Sequence, residues 1–97
     1  MNSIWDSTLR EFRDRIASRE PTPGGGAVSA VAGAQGLALV LMALEINLRR
    51  KEPHPEAAGI LSRGRALLEP LSASADEDIR ALGNYMQALL LPKNPPE

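Results

Sequence analysis

Apolar and polar positions alternate along this chain with the periods of helices, and prolines and glycines divide it into three stretches. Leu9, Phe12 and Ile16 recur at spacings of three and four, and Thr8 with Glu11 forms the pattern of a capping box, which predicts a first helix over about 8–19. Residues 1–6 ahead of it read as a loose leader. Pro21 ends the first helix. A second helix is expected from Ala27 to Arg50, closed by Arg49, Arg50 and Lys51, cations suited to a helix C-terminus. Pro53-His54-Pro55 then breaks the chain, and a third helical region runs from Glu56 to Leu91. Pro70 lies inside it; a proline in mid-helix costs about 3 kcal/mol, so a kink or short break is expected there. Asn94-Pro95-Pro96-Glu97 reads as a frayed tail. No stretch alternates as a strand does, and the fold class is all-α.

The second helix has no polar side. Val28, Ala32, Leu39, Met42 and Ile46 mark one face, and Ala30, Ala34, Leu37, Leu41, Leu44 and Leu48 mark another. A helix apolar all round must be surrounded, and the neighbours available in one short chain cannot cover every side. The expected architecture is therefore a helical bundle around a long central apolar helix, completed by oligomerisation, with a homodimer as the simplest form. Close pairing through Ala30, Gly33, Ala34 and Leu37 would suit a two-fold. Ala27 to Leu44 is free of charge but contains Ser29, Gly33, Gln35 and Gly36 among many alanines, which makes a buried helix the expectation and a membrane span the poorer fit.

Composition narrows the rest. The chain has 97 residues and is read as a single domain. Its net charge is −1, with no basic face, so nucleic acid is not an expected partner. Without cysteine there is no disulfide, no thiolate chemistry and no Cys-ligated metal. The first sixteen residues carry too many charges for a signal peptide. No metal-ligand spacing occurs. The single histidine, His54, sits between two prolines with no acidic or hydroxyl partner nearby and reads as a turn residue.

Two places could carry chemistry. Pro21-Thr22-Pro23-Gly24-Gly25-Gly26 leads straight into the second helix. A helix start has N–H groups without intrahelical partners and a partial positive charge. Glycines before it let an anionic or polar group come close, while a rigid packing turn accounts for the same residues equally well. In the third region an apolar seam runs through Leu71, Ala75, Leu82, Tyr85 and Leu89. Asp78 falls within it, flanked by Asp76 and Glu77, which read as a solvated acidic turn. A carboxylate on a packing face must be paired, hydrogen-bonded or turned to a cavity, and in the last case it suits general acid/base work. Partnership with Arg63, Arg65 or Arg80 is the structural alternative.

Glu11-Phe12, Ile16-Ala17-Ser18, the Pro-Thr-Pro-Gly-Gly-Gly turn and the small-residue helix through Leu41-Met42 resemble the opening of the cyclodeaminase/cyclohydrolase family. This is the family of the cyclodeaminase domain of formiminotransferase-cyclodeaminase and of methenyltetrahydrofolate cyclohydrolases. Asp78, Ala81, Tyr85-Met86, Ala88 and Leu91-Pro92-Lys93 fit a second block. The resemblance covers roughly 8–93 and only the N-terminal half of a family domain, which makes 1–97 a partial domain. It implies a cytoplasmic one-carbon folate enzyme, a formiminotetrahydrofolate cyclodeaminase or a methenyltetrahydrofolate cyclohydrolase, with no metal or redox cofactor and a tetrahydrofolate derivative as substrate. Asp78 would be the catalytic acid/base. Gly24, Gly25, Gly26 and Ser29 would hold a polar part of the substrate, Asn84 or Tyr85 could bond a pterin or amide, and Lys93 could meet the carboxylates of a glutamate tail. The family has a small hydroxyl residue after the glycines; here that place is Ala27, with Ser29 two positions on. The alternative is a non-catalytic helical oligomerisation module derived from a truncated family member.

Overall fold

The computed structural model describes residues 2–92. Three α-helices follow one another, α1 (Leu9–Ile16), α2 (Gly25–Leu48) and α3 (Ala57–Leu89), preceded by a short 3-10 turn at Ile4–Asp6. There is no strand among the described residues, so the all-α class holds. The Thr8 hydroxyl accepts from the Glu11 N–H and the Glu11 carboxylate accepts from the Thr8 N–H, completing the capping box. Donation to the Glu11 carboxylate, first from the Thr8 backbone N–H and then from the Thr8 hydroxyl, holds the carboxyl below its ordinary value of 4.5.

Helices α2 and α3 form an antiparallel hairpin, with Gly24 beside Leu82, Gly33 beside Leu71, and Gly64 beside Leu41. Much of the contact is alanine. Ala27, Ala30, Ala34 and Leu41 of α2 are buried, as are Ala57, Ala75 and Ile79 of α3. The turn between them is closed locally. The His54 N–H donates to Asn47 Oδ1 (2.9 Å), and His54 Nδ1 accepts from the Glu56 N–H (3.1 Å), which makes the only histidine a turn element.

Three local expectations are corrected. The leader is not loose: Ile4 is 5% exposed and packs with Ala27, Ala30, Ala75 and Ile79. Asp76 is half-buried and not a free surface carboxylate, because it accepts hydrogen bonds from the Ser3 hydroxyl and, at 2.8 Å, from the Ile4 N–H. Trp5 Nε1 adds a bond to the Ser72 carbonyl (2.8 Å). Pro70 does not break α3. Leu71 on one side of it and Gly64 on the other both pack on α2, so α2 splints the helix across the weak point and a break would forfeit contacts on both sides.

The assembly is a rod of 73 × 34 × 19 Å with a radius of gyration of 19.0 Å, against about 12.5 Å for a compact chain of this length. Helix α2 buries one face only. Leu39, Val40, Met42 and Ile46 are each more than half exposed, so the expectation of a buried helix fails within one chain. By length and composition α2 is apolar enough to cross a membrane, with a mean hydropathy of 2.0 in a window only 22% buried. The expected α3 seam holds at Leu71, Ala75 and Leu82, whereas Tyr85 and Leu89 are 60% and 61% exposed. With Leu82 already level with Gly24, α3 runs about 10 Å past the start of α2.

Candidate functional site

Gly24 is the N-cap of α2, in extended geometry, and no side chain caps the helix. The first intrahelical bond is from the Val28 N–H to the Gly24 carbonyl (3.0 Å), so the N–H groups of Gly25, Gly26 and Ala27 lie in the turn that has no intrahelical acceptors. Asp78 of α3 approaches this end from the side. A Cβ built on Gly26 would lie 2.6 Å from Asp78 Cγ and 2.7 Å from Oδ2, well inside van der Waals contact. The carboxylate therefore occupies space that only a glycine leaves free. It stands beside the positive end of the α2 dipole, a favourable placement for an anion. Asp78 is half-buried, and among the described residues it enters no side-chain hydrogen bond or ion pair, whether with Arg63, Arg65 or Arg80. Arg65 instead meets Glu45 (3.4 Å).

The other sequence-chosen residues divide around this pair. Gly24 packs against Leu82, while Gly25 has nothing within 4 Å of a Cβ and is open. Ser29 is exposed one turn into α2. Tyr85 is exposed two turns beyond Asp78 on nearly the same line of α3, since seven residues bring a helix back to within about 20°. Asn84 lies about 240° round from Asp78 and is not part of this face. Lys93 lies outside the described residues.

The sequence reading missed a cleft of about 330 Å³ on the opposite flank of α3, lined by Asn2, Ser3, Arg15, Asp76, Ile79 and Arg80 together with Ile4. Asp76 and Arg80 sit about 160–200° from Asp78 around the helix, so the cleft is separate from the glycine site. Its one sequence signal was Asp76, a carboxylate in mid-helix whose partners come from the far end of the chain.

The fold and the site define an all-α hairpin with an uncapped, glycine-rich helix start facing a carboxylate. The family model described as formiminotransferase-cyclodeaminase matches residues 8–97, and the chain belongs to that family. A methenyltetrahydrofolate cyclohydrolase of Methylorubrum extorquens is 35% identical over 95 residues, covering 95% of this chain and 46% of that protein. The formimidoyltransferase-cyclodeaminases of Mus musculus and Sus scrofa are each 35% identical over 98% of this chain, which is 18% of theirs. The chain thus spans less than half the length of these relatives. No solved structure matches it.

Proposed function

We propose that this chain works in one-carbon folate chemistry, as a cyclodeaminase or a cyclohydrolase, with Asp78 moving the proton at the one-carbon bridge. The observation that carries the reading is the Asp78 carboxylate held against Gly26, with no side-chain hydrogen bond or ion pair among the described residues, at a helix start that no side chain among them caps. The names of the relatives supply the substrate class.

In hydrolysis, water adds to the methenyl carbon and its oxygen loses a proton to the carboxylate. The bond from that carbon to N5 then breaks as the proton passes to N5. The second hydroxyl proton leaves to solvent, and the 10-formyl product remains. In deamination, N10 attacks the carbon of the protonated formimino group, an amidinium. The N10 proton travels through the same carboxylate to the departing nitrogen, which with the two protons it already holds leaves as ammonia, and the cationic methenyl product remains. Both need one group that accepts and returns a proton. The N–H groups of Gly25 to Ala27 would orient a polar part of the substrate, with Ser29 and Tyr85 at the edge of the same face; a role for Lys93 toward the carboxylates of the substrate rests on the family resemblance alone. The reading uses no metal and no redox cofactor, and sets the reaction in the cytoplasm.

Steady-state turnover of 5-formimino- and 5,10-methenyltetrahydrofolate, run beside a folate-binding titration, tests it. Asp78→Asn is expected to cut the rate about 10²–10⁴-fold while binding persists. A folded variant that turns over within about threefold of the parent refutes the assignment of Asp78. Absence of both turnover and binding in the parent chain leaves the non-catalytic oligomerisation module.

A further inference from the structure

Arg15 follows Glu11 by four residues on α1, and Arg80 follows Asp76 by four on α3. An acid four places ahead of a base is the arrangement that pairs along a helix. Neither of these pairs forms, and in both cases the N-terminal segment is the cause. The Glu11 carboxylate is taken by the Thr8 N–H of the capping box (2.8 Å). Asp76 accepts from the Ser3 hydroxyl at Oδ2 and from the Ile4 N–H at Oδ1 (2.8 Å). Asp14, beside Arg15, is held by Arg13 (2.8 Å). Among the described residues Arg15 and Arg80 therefore enter no ion pair. The fold nevertheless brings both, from different helices, to the one cleft of about 330 Å³ on the flank of α3 away from Asp78. Ile4 and Ile79, both buried, close its inner side, while the two arginines are exposed to solvent.

We propose that this cleft binds a small doubly charged oxyanion, a dicarboxylate or a phosphomonoester, between Arg15 and Arg80. Two guanidinium groups without counter-ions present two planar forks of donors, the geometry that carboxylate and phosphate oxygens match. Among the described residues the one carboxylate on the cleft is Asp76. Both its oxygens already accept hydrogen bonds, so it does not compete for either arginine. Two cations against one carboxylate leave the cleft positive in a chain whose overall charge is −1. Its volume is at the lower end of small-molecule sites, about 300–1,000 Å³, and the buried isoleucines offer a surface to a short carbon body. An extended polyanion fits poorly, because the hollow that continues past Arg15 is lined by Asp6 and Glu11. The site stands apart from the folate reading, since Asp78 and the glycines lie on the far side of α3 and neither arginine takes part in the proton transfer.

Titration of the whole chain with succinate and with β-glycerophosphate, followed by heteronuclear NMR, tests the proposal. Each probe is run against sodium chloride at equal ionic strength, which screens exposed charges without filling a site. Saturable shifts are expected at the Arg15 and Arg80 Nε–H groups and at the Ile4 amide with at least one probe. Saturation by succinate alone assigns paired carboxylates, by β-glycerophosphate alone a phosphate group, and by both a site that reads charge; each supports the proposal. Arg15→Gln and Arg80→Gln are each expected to weaken binding about tenfold or more, the scale of a hydrogen bond to a charged group. Arg13→Gln removes the same charge from a side chain that Asp14 already holds, and is expected to change affinity by less than about twofold. All three arginines are exposed, so circular dichroism and melting without ligand are expected to match the parent. No saturable shift with either probe beyond the chloride control overturns the proposal, as does binding by Arg15→Gln or Arg80→Gln as tight as by Arg13→Gln. None of these measurements reads turnover, so failure here leaves the folate reading standing, and failure of that reading leaves the anion site.

Discussion

Adding one methyl group at Gly26, and the same group one residue earlier, separates a working carboxylate from a packing turn. In Gly26→Ala the new Cβ would sit 2.6 Å from Asp78 Cγ, so the carboxylate must retreat by about 1 Å to reach ordinary contact. A side chain forced about 30° off its rotamer loses about 0.5–1.5 kcal/mol. Replacing glycine by alanine within a helix returns up to about 1 kcal/mol, and the two nearly cancel. Gly25→Ala meets nothing within 4 Å and keeps only the gain, which for a chain of this size raises Tm by several degrees, at about 4–8 °C per kcal/mol. Activity is expected to order the variants the other way. A displacement of about 1 Å in a reacting group can cost about 10²-fold, so Gly26→Ala is expected to lose rate at almost unchanged Tm while Gly25→Ala keeps it. Joined to Asp78→Asn, Gly26→Ala is expected to add nothing, because both act through one carboxylate. Thermal melts by circular dichroism and turnover of the methenyl and formimino substrates provide the readings. Equal loss of rate in the two alanine variants, or full rate in Gly26→Ala, refutes the reasoning.

Elsewhere, Asp76→Ala is expected to cost about 2 kcal/mol, the scale of hydrogen bonds to a charged acceptor, and to shift Trp5 fluorescence toward that of a solvated indole in a urea titration. Ile4→Ala is expected to cost about 2–4 kcal/mol in the same titration, although it lies three residues from the start of the chain. Pro70→Ala is expected to stabilise, by up to about 3 kcal/mol, and to move the urea midpoint upward. Since the Glu11 carboxyl is held below its ordinary value by Thr8, its contribution is present above about pH 4.5 and is lost as pH falls through the depressed folded value. Thr8→Ala is expected to flatten the acid limb of a stability–pH curve.

Where residues act on their near neighbours, the sequence was readable. Thr8 and Glu11 are three apart and cap α1 as expected, and the Pro-rich turns separate the helices where they should. Asp78 and Gly24–Gly26 stand apart in the sequence, and only the antiparallel register of α2 on α3 brings them together. Helix ends drifted by a few residues, and α1 stopped at Ile16, short of the expected reach. The misreadings share a cause in long-range partners. Ser3 and Asp76 are 73 residues apart, so nothing local marks the leader as docked. Pro70 has a strong local tendency that packing on both sides overrides. Tyr85 and Leu89 have the spacing of a seam, but they lie past the start of α2, which does not reach them.

The alanines between α2 and α3 decide how this hairpin can fail. Ala27 and Ala75 are wholly buried and Ala34 is 2% exposed, while no large side chain among the described residues is fully enclosed. Apart from Leu41, Ile79 and Ile4, side-chain truncation has little to remove from this core. Two helix backbones held together by methyl groups are instead sensitive to enlargement, because each added methylene must push whole helices apart. A tightly packed site typically loses about 1–3 kcal/mol to such an insertion. Any wedge at Ala75 would also lift the adjoining turn of α3, and with it Asp78, away from Gly26. In this fold small residues work as spacers that set a distance, so the gap between the helices and the position of the carboxylate must be inherited together.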